Sequence, residues 1–90
     1  MINVTASRVE AALNAAFAPS HLLVQDDSAA HAGHAGAREG RHFSVAITSE
    51  QFRGQTRVAR HRLVYDALAP LIAEGIHALA IVAKSPDEPT

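Results

Sequence analysis

Residues 56–83, TRVARHRLVYDALAPLIAEGIHALAIVA, carry the pattern on which the fold turns. Thr56 is a good helix-capping residue, and behind it His61, Val64, Tyr65, Leu68, Leu71 and Ile72 recur at the spacing of one helical face. Gly75 suits the end of that helix, because a residue without a Cβ readily takes the backbone conformation that closes helices. The stretch HALAIVA from His77 to Ala83 then reads as a short apolar strand. Pro70 lies inside the helical pattern, where it removes a backbone hydrogen bond and crowds the carbonyl of Asp66. That costs about 3 kcal/mol unless the helix bends, so a bend near Ala69 is expected.

Working back from this unit, SEQFRG at residues 49–54 has room for one helical turn before Gly54. Phe43, Val45 and Ile47 alternate with Ser44, Ala46 and Thr48, the period-2 signature of a strand with one face on a core. Residues 26–41, DDSAAHAGHAGAREGR, contain no apolar side chain larger than Ala and read as a long loop. Loops beyond about 12–15 residues are usually functional or disordered. Before it, HLLVQ at residues 21–25 is a second apolar strand, expected to pair with the first as a wide hairpin. Ser7 and Glu10 match a capping box, and Val9, Ala12, Leu13, Ala16 and Phe17 share a helical face, so a helix is expected from Ser7 to Phe17, stopped by Pro19. The order helix, strand, strand, helix, strand predicts an α+β layer with helices packed on one face of a three-stranded sheet. The whole chain, 1–90, is expected to be one domain, with a folded core over 6–84 and a polar tail over 85–90.

Ninety residues bury only about 60% of the surface of the unfolded chain, enough for one modest core. With 48% apolar and 19% charged residues the composition is that of a globular domain and not of a disordered or coiled-coil chain. No apolar run approaches the roughly 18 residues of a membrane span, and MINVTASRVE lacks the basic-then-apolar order of a signal peptide. A soluble, cytoplasmic protein without membrane contacts is therefore expected. The sequence has no cysteine and six histidines, so any metal must be held by nitrogen or oxygen. A net charge of −1 argues against nucleic-acid binding through bulk charge, though not against a local basic patch. GxGxxG, GxxxxGK[ST] and GxSxG are all absent, and the adjacent Asp26 and Asp27 point opposite ways in an extended chain. The expectation is a protein that is not an enzyme.

The histidines carry more signal. His31 and His34 have HxxH spacing in the long loop, and neutral imidazole ligates zinc, copper, iron and nickel; the plain alternative is a solvated loop. His77 stands where a strand begins, so backbone geometry can fix its ring at the end of a sheet. Its plain alternative is a partly buried ring bonded to a carbonyl. His61 falls on the apolar helix face and reads as a core residue, while His21 and His42 read as strand-flanking surface residues without a role. Arg53, Arg57, Arg60 and Arg62 place four positive charges within ten residues and no acid among them. They read either as an anion or nucleic-acid surface or as a solvated helix face.

Taken together, Phe52, Gly54, the run Arg60-His61-Arg62-Leu63-Val64-Tyr65 and the run Ile76-His77-Ala78-Leu79 form a signature, preceded by DDSAAHAGHAG ahead of His42-Phe43. In these motifs the chain resembles the BolA family, a similarity that covers residues 7–88. The resemblance implies a type II KH-like fold with a mixed three-stranded sheet. It also implies a monothiol glutaredoxin partner, with which members share a [2Fe-2S] cluster whose thiolates come from the glutaredoxin and its bound glutathione. The family's C-terminal histidine ligand corresponds to His77 and its loop ligand to His31, with His34 as the alternative. On this view the isolated chain binds no cluster and is a monomer or weak homodimer. The resemblance equally implies an alternative, a DNA-binding transcriptional regulator of morphology and stress genes acting through Arg53, Arg57, Arg60 and Arg62.

Overall fold

Thr5, not Ser7, starts the first helix. In a computed structural model describing residues 4–27 and 41–88, the Thr5 hydroxyl accepts the backbone N–H of Arg8 at 3.2 Å and α1 runs Ala6–Phe17. Both residues are capping types. Starting at Thr5 leaves Val9, Leu13 and Phe17 on the buried face and seats Val4, just before the cap, in the core with no exposure. The helix closes at Ala18, whose φ of 44° is in the left-handed region, with Pro19 following.

Strand β1 (His21–Asp26) pairs antiparallel with β2 (Arg41–Thr48), and β2 pairs parallel with β3 (Ile76–Lys84), giving a mixed sheet with β2 in the centre. The alternation expected for the central strand is realised: Phe43, Val45 and Ile47 are buried. They face α1 and α2 (Arg57–Glu74) and, with Val24, Ile76 and Ile81, complete a single core against Val64, Leu68 and Leu71. Each such side chain contributes about 1.5–3 kcal/mol on burial. The architecture is thus α+β and KH-like, a three-stranded mixed sheet with both helices on one face.

Between β2 and α2 the expected single turn is a 3₁₀ turn, Glu50–Phe52. Its Phe52 is fully buried and packs on Phe17 with ring centroids 5.1 Å apart. Thr56 caps α2 as expected, accepting the N–H of Ala59. The helix runs unbroken through Pro70 to Glu74: the buried Leu68 and Leu71 on either side hold it to the core, and the exposed Pro70 leaves solvent beside its missing donor. Gly75 then closes the helix with φ 151°, a value that a side chain would strain, and its N–H bonds back to Leu71 and Ile72.

Val4 and Ser85 lie just outside the 6–84 stretch expected to hold the core, and both are buried. The segment after β3 folds back onto the domain. Glu88 accepts the N–H of Ser85 at 2.7 Å and a guanidinium N–H of Arg60 at 2.6 Å, and Ser85 also contacts Asp87. These bonds, those from Ser85 first, lower the Glu88 carboxyl from its ordinary 4.5 to about 2. A carboxylate whose folded value is depressed stabilises the fold above its unfolded range and loses that contribution as pH falls through the folded value. The clasp is therefore expected to loosen between about pH 4.5 and 2, read as a shift of the Ser85 amide resonance over that window. Glu88→Gln should remove the transition.

Candidate metal-ligand site at the bulged end of the sheet

His77 owes its position to an irregularity that periodicity does not reveal. Along the parallel pair, Arg41 faces Ile76 but His42 faces Ala78, so His77 is an extra residue on β3. Such a bulge re-aims a side chain and bends the strand locally. Gly75 sets it up: its carbonyl accepts the N–H of Arg41 at 2.9 Å, tying the end of α2 to the start of β2. His77 is exposed, and its ring lies beside that of His42, with centroids 5.2 Å apart and planes inclined by 47°.

His42, read as a strand-flanking surface residue, lies within β2. His42 is only partly exposed and shares the open face of β2 with Ser44, Ala46 and Thr48, opposite the buried Phe43, Val45 and Ile47. The pairing was not legible because it depends on a one-residue offset between strands whose paired residues lie thirty-five or thirty-six apart in sequence. Asp27 lies at the same place. Its N–H donates to the His42 carbonyl at 2.7 Å, its carboxylate takes the Ser44 hydroxyl, and it lines a shallow depression of about 260 Å³ with His42, Phe43, Ala78, Leu79 and Ala80.

His31 and His34 lie outside the described residues. The chain on either side of them is anchored at this end of the sheet, by Asp27 to His42 and by Arg41 to Gly75. Among the described residues no group of three or more His, Cys, Asp or Glu is placed to hold a metal ion. At this end of the sheet the described residues bring imidazole nitrogen, from His42 and His77, and no thiolate. This donor set suits half of a mixed nitrogen–thiolate centre and cannot complete one.

The arginines divide. Arg53 binds Glu50 through two hydrogen bonds, at 2.8 and 2.9 Å, and lies 3.2 Å from Asp87; its guanidinium pulls the Glu50 carboxyl below the usual range. Arg60 is mostly buried and joins three segments, donating to the carbonyls of Gln55 at 2.9 Å and Ala83 at 3.0 Å as well as to Glu88. Only Arg57 and Arg62 are exposed without an internal ion pair among the described residues. His61 is half-buried, beside Arg57 and Arg60 in a cleft against the end of β3. It is not in the apolar core where the helical face suggested.

A family model described as BolA-like protein matches residues 13–88. The chain is 44% identical over 87 residues to Protein BOLA1, chloroplastic, of Arabidopsis thaliana, covering 92% of this chain and 54% of that protein. It is also 44% identical over 87 residues to the same plant's SufE-like protein 1, chloroplastic/mitochondrial, covering 90% of this chain and 24% of that one. The chain therefore spans about half the length of the first relative and a quarter of the second. Over 74 residues it is 40% identical to the DNA-binding transcriptional regulator BolA of Escherichia coli, covering 82% of this chain and 69% of that one. The solved structure of BolA1 from Arabidopsis thaliana superposes with a TM-score of 0.83 at 42% identity over the whole of both chains. The BolA domain of SufE1 from that plant does so at 0.81, with 42% identity and 96% of each chain covered.

These relatives overturn the expectation of a cytoplasmic protein, since two of them are chloroplastic or chloroplastic/mitochondrial by name. The physical reason is that a cysteine-free globular composition describes a fold and carries no address. Among the described residues no helix is long and apolar enough to cross a membrane.

Proposed function

The chain belongs to the BolA-like protein family, and on that premise we propose that it is an adaptor that shares a [2Fe-2S] cluster with a monothiol glutaredoxin, in cluster assembly, trafficking or iron regulation. It is not an enzyme, in keeping with a family of regulatory and partner proteins. It is related to BolA and SufE proteins of iron–sulfur pathways. The observation that carries the reading is the set of donors at the bulged end of the sheet. His77 projects there from a hydrogen-bonded strand pair, and Asp27 and Arg41, on either side of the segment that carries His31, are both tied to that end of the sheet. His31 is the fourth residue after Asp27, a chain length of at most about 14 Å. His77 and His31, with His34 as the alternative, would supply the nitrogens, and the glutaredoxin cysteine and its glutathione the thiolates. Bound this way, the cluster would supply electron-transfer and transfer chemistry at a potential raised by its neutral ligands, as in Rieske centres. Co-expression with a monothiol glutaredoxin followed by purification and absorption spectroscopy tests the reading. A coloured one-to-one complex is expected, and separate elution of the two proteins would refute it.

The alternative, DNA binding, draws on the name of the Escherichia coli relative. With Arg53 and Arg60 committed to carboxylates, it would rest on Arg57 and Arg62. Retardation of DNA at low salt, lost in an Arg57→Ala, Arg62→Ala double variant, is what that reading requires.

A further inference from the structure

The spacing of the two facing imidazoles has a meaning of its own. An ion bound about 2.1 Å from an imidazole nitrogen lies about 3.2 Å from the ring centroid, so two rings on one tetrahedral ion have centroids about 5.2 Å apart. The centroids of His42 and His77 are 5.2 Å apart. The rings stand on adjacent, hydrogen-bonded strands, so bringing them together costs no further ordering of the chain. The Asp27 carboxylate holds the Ser44 hydroxyl and is not a third ligand, so the two rings are the protein's whole contribution among the described residues.

The geometry points to His42 and His77 as a two-imidazole chelate for a borderline divalent ion, zinc in the first instance, formed by this chain without a partner. Imidazole nitrogen with water or carboxylate oxygen in the remaining positions is a donor set that zinc, copper and nickel accept. Nothing in this site needs the loop histidines or a glutaredoxin, so it stands or falls separately from the shared-cluster reading.

The test is titration of the full chain with Zn²⁺, followed by calorimetry and by the ¹⁵N resonances of the imidazole rings. One equivalent of zinc is expected to move the nitrogens of His42 and His77 together. His42→Ala and His77→Ala should each weaken binding by at least about 10-fold, the smallest loss typical even of groups that only support a ligand, whereas a His31→Ala, His34→Ala double variant should keep the affinity of the parent chain. Zinc binding lost in the loop variant and kept in His42→Ala would overturn the assignment. So would unchanged ring resonances at saturating zinc, which would leave ring packing as the whole content of the pair. The resonance measurement is made on the unaltered chain, so the inference is decided even if His42→Ala fails to fold.

Discussion

His77→Ala is expected to abolish the change in visible absorption and circular dichroism that the chain produces on meeting a cluster-loaded monothiol glutaredoxin. The side chain is exposed on a bulge, and its removal takes no packing from the core. Substitutions at such positions usually alter stability by no more than about 0.5 kcal/mol, so a lost spectrum with an unchanged unfolding curve isolates the loss of a ligand. His77→Cys should restore a cluster spectrum with a lower reduction potential, because a thiolate puts back the negative charge that a neutral imidazole lacks. Arg62→Ala, an exposed change on α2, should leave the spectra as they were. A His77→Ala chain that gives the parent spectra would remove His77 from the ligand set.

Phe52→Ala is expected to produce the largest loss of stability in the domain. Phe52 is fully buried, packs on Phe17 and holds the 3₁₀ turn between β2 and α2. Truncating a buried Phe typically costs 3–5 kcal/mol, of the order of half the roughly 5–13 kcal/mol that a domain of this size has to lose. Urea unfolding should show the midpoint falling accordingly, and the thermal midpoint should drop by at least about 12 °C. Phe52→Leu, which fills most of the space, should recover the larger part. A loss below about 1 kcal/mol for Phe52→Ala would mean that the turn is not anchored through this ring.

Local patterns made much of this fold legible. Thr56, the buried Val64, Leu68 and Leu71 of α2, Gly75 and the apolar strand after it read correctly because caps, periodicity and a closing glycine act over a few residues, whereas Tyr65 on the same expected face is exposed. The alternation around Phe43, Val45 and Ile47 gave the buried face of β2 for the same reason. What was misread depends on distant partners. Arg60 looked like a free cation until Glu88, twenty-eight residues on, was seen to close on it. His42 looked idle because the bulge that brings His77 to its side belongs to the β2–β3 register and to neither strand alone. Ser7 reads as the cap from local pattern alone, and Thr5 takes that place in the fold, where Val4 reaches the core. The cellular compartment had no local signal to read, and relatives from chloroplasts and mitochondria show how little composition says about it.

The central claim is that this chain gives imidazole nitrogen to an iron whose cluster is otherwise held by thiolates. Pulsed electron paramagnetic resonance of the reduced cluster, in a one-to-one mixture of this chain with a loaded monothiol glutaredoxin, reads that bond directly. The account predicts strong ¹⁴N couplings of coordinated imidazole, lost with His77→Ala. A spectrum identical to that of the glutaredoxin's own all-thiolate cluster, with no coordinated nitrogen, would contradict it.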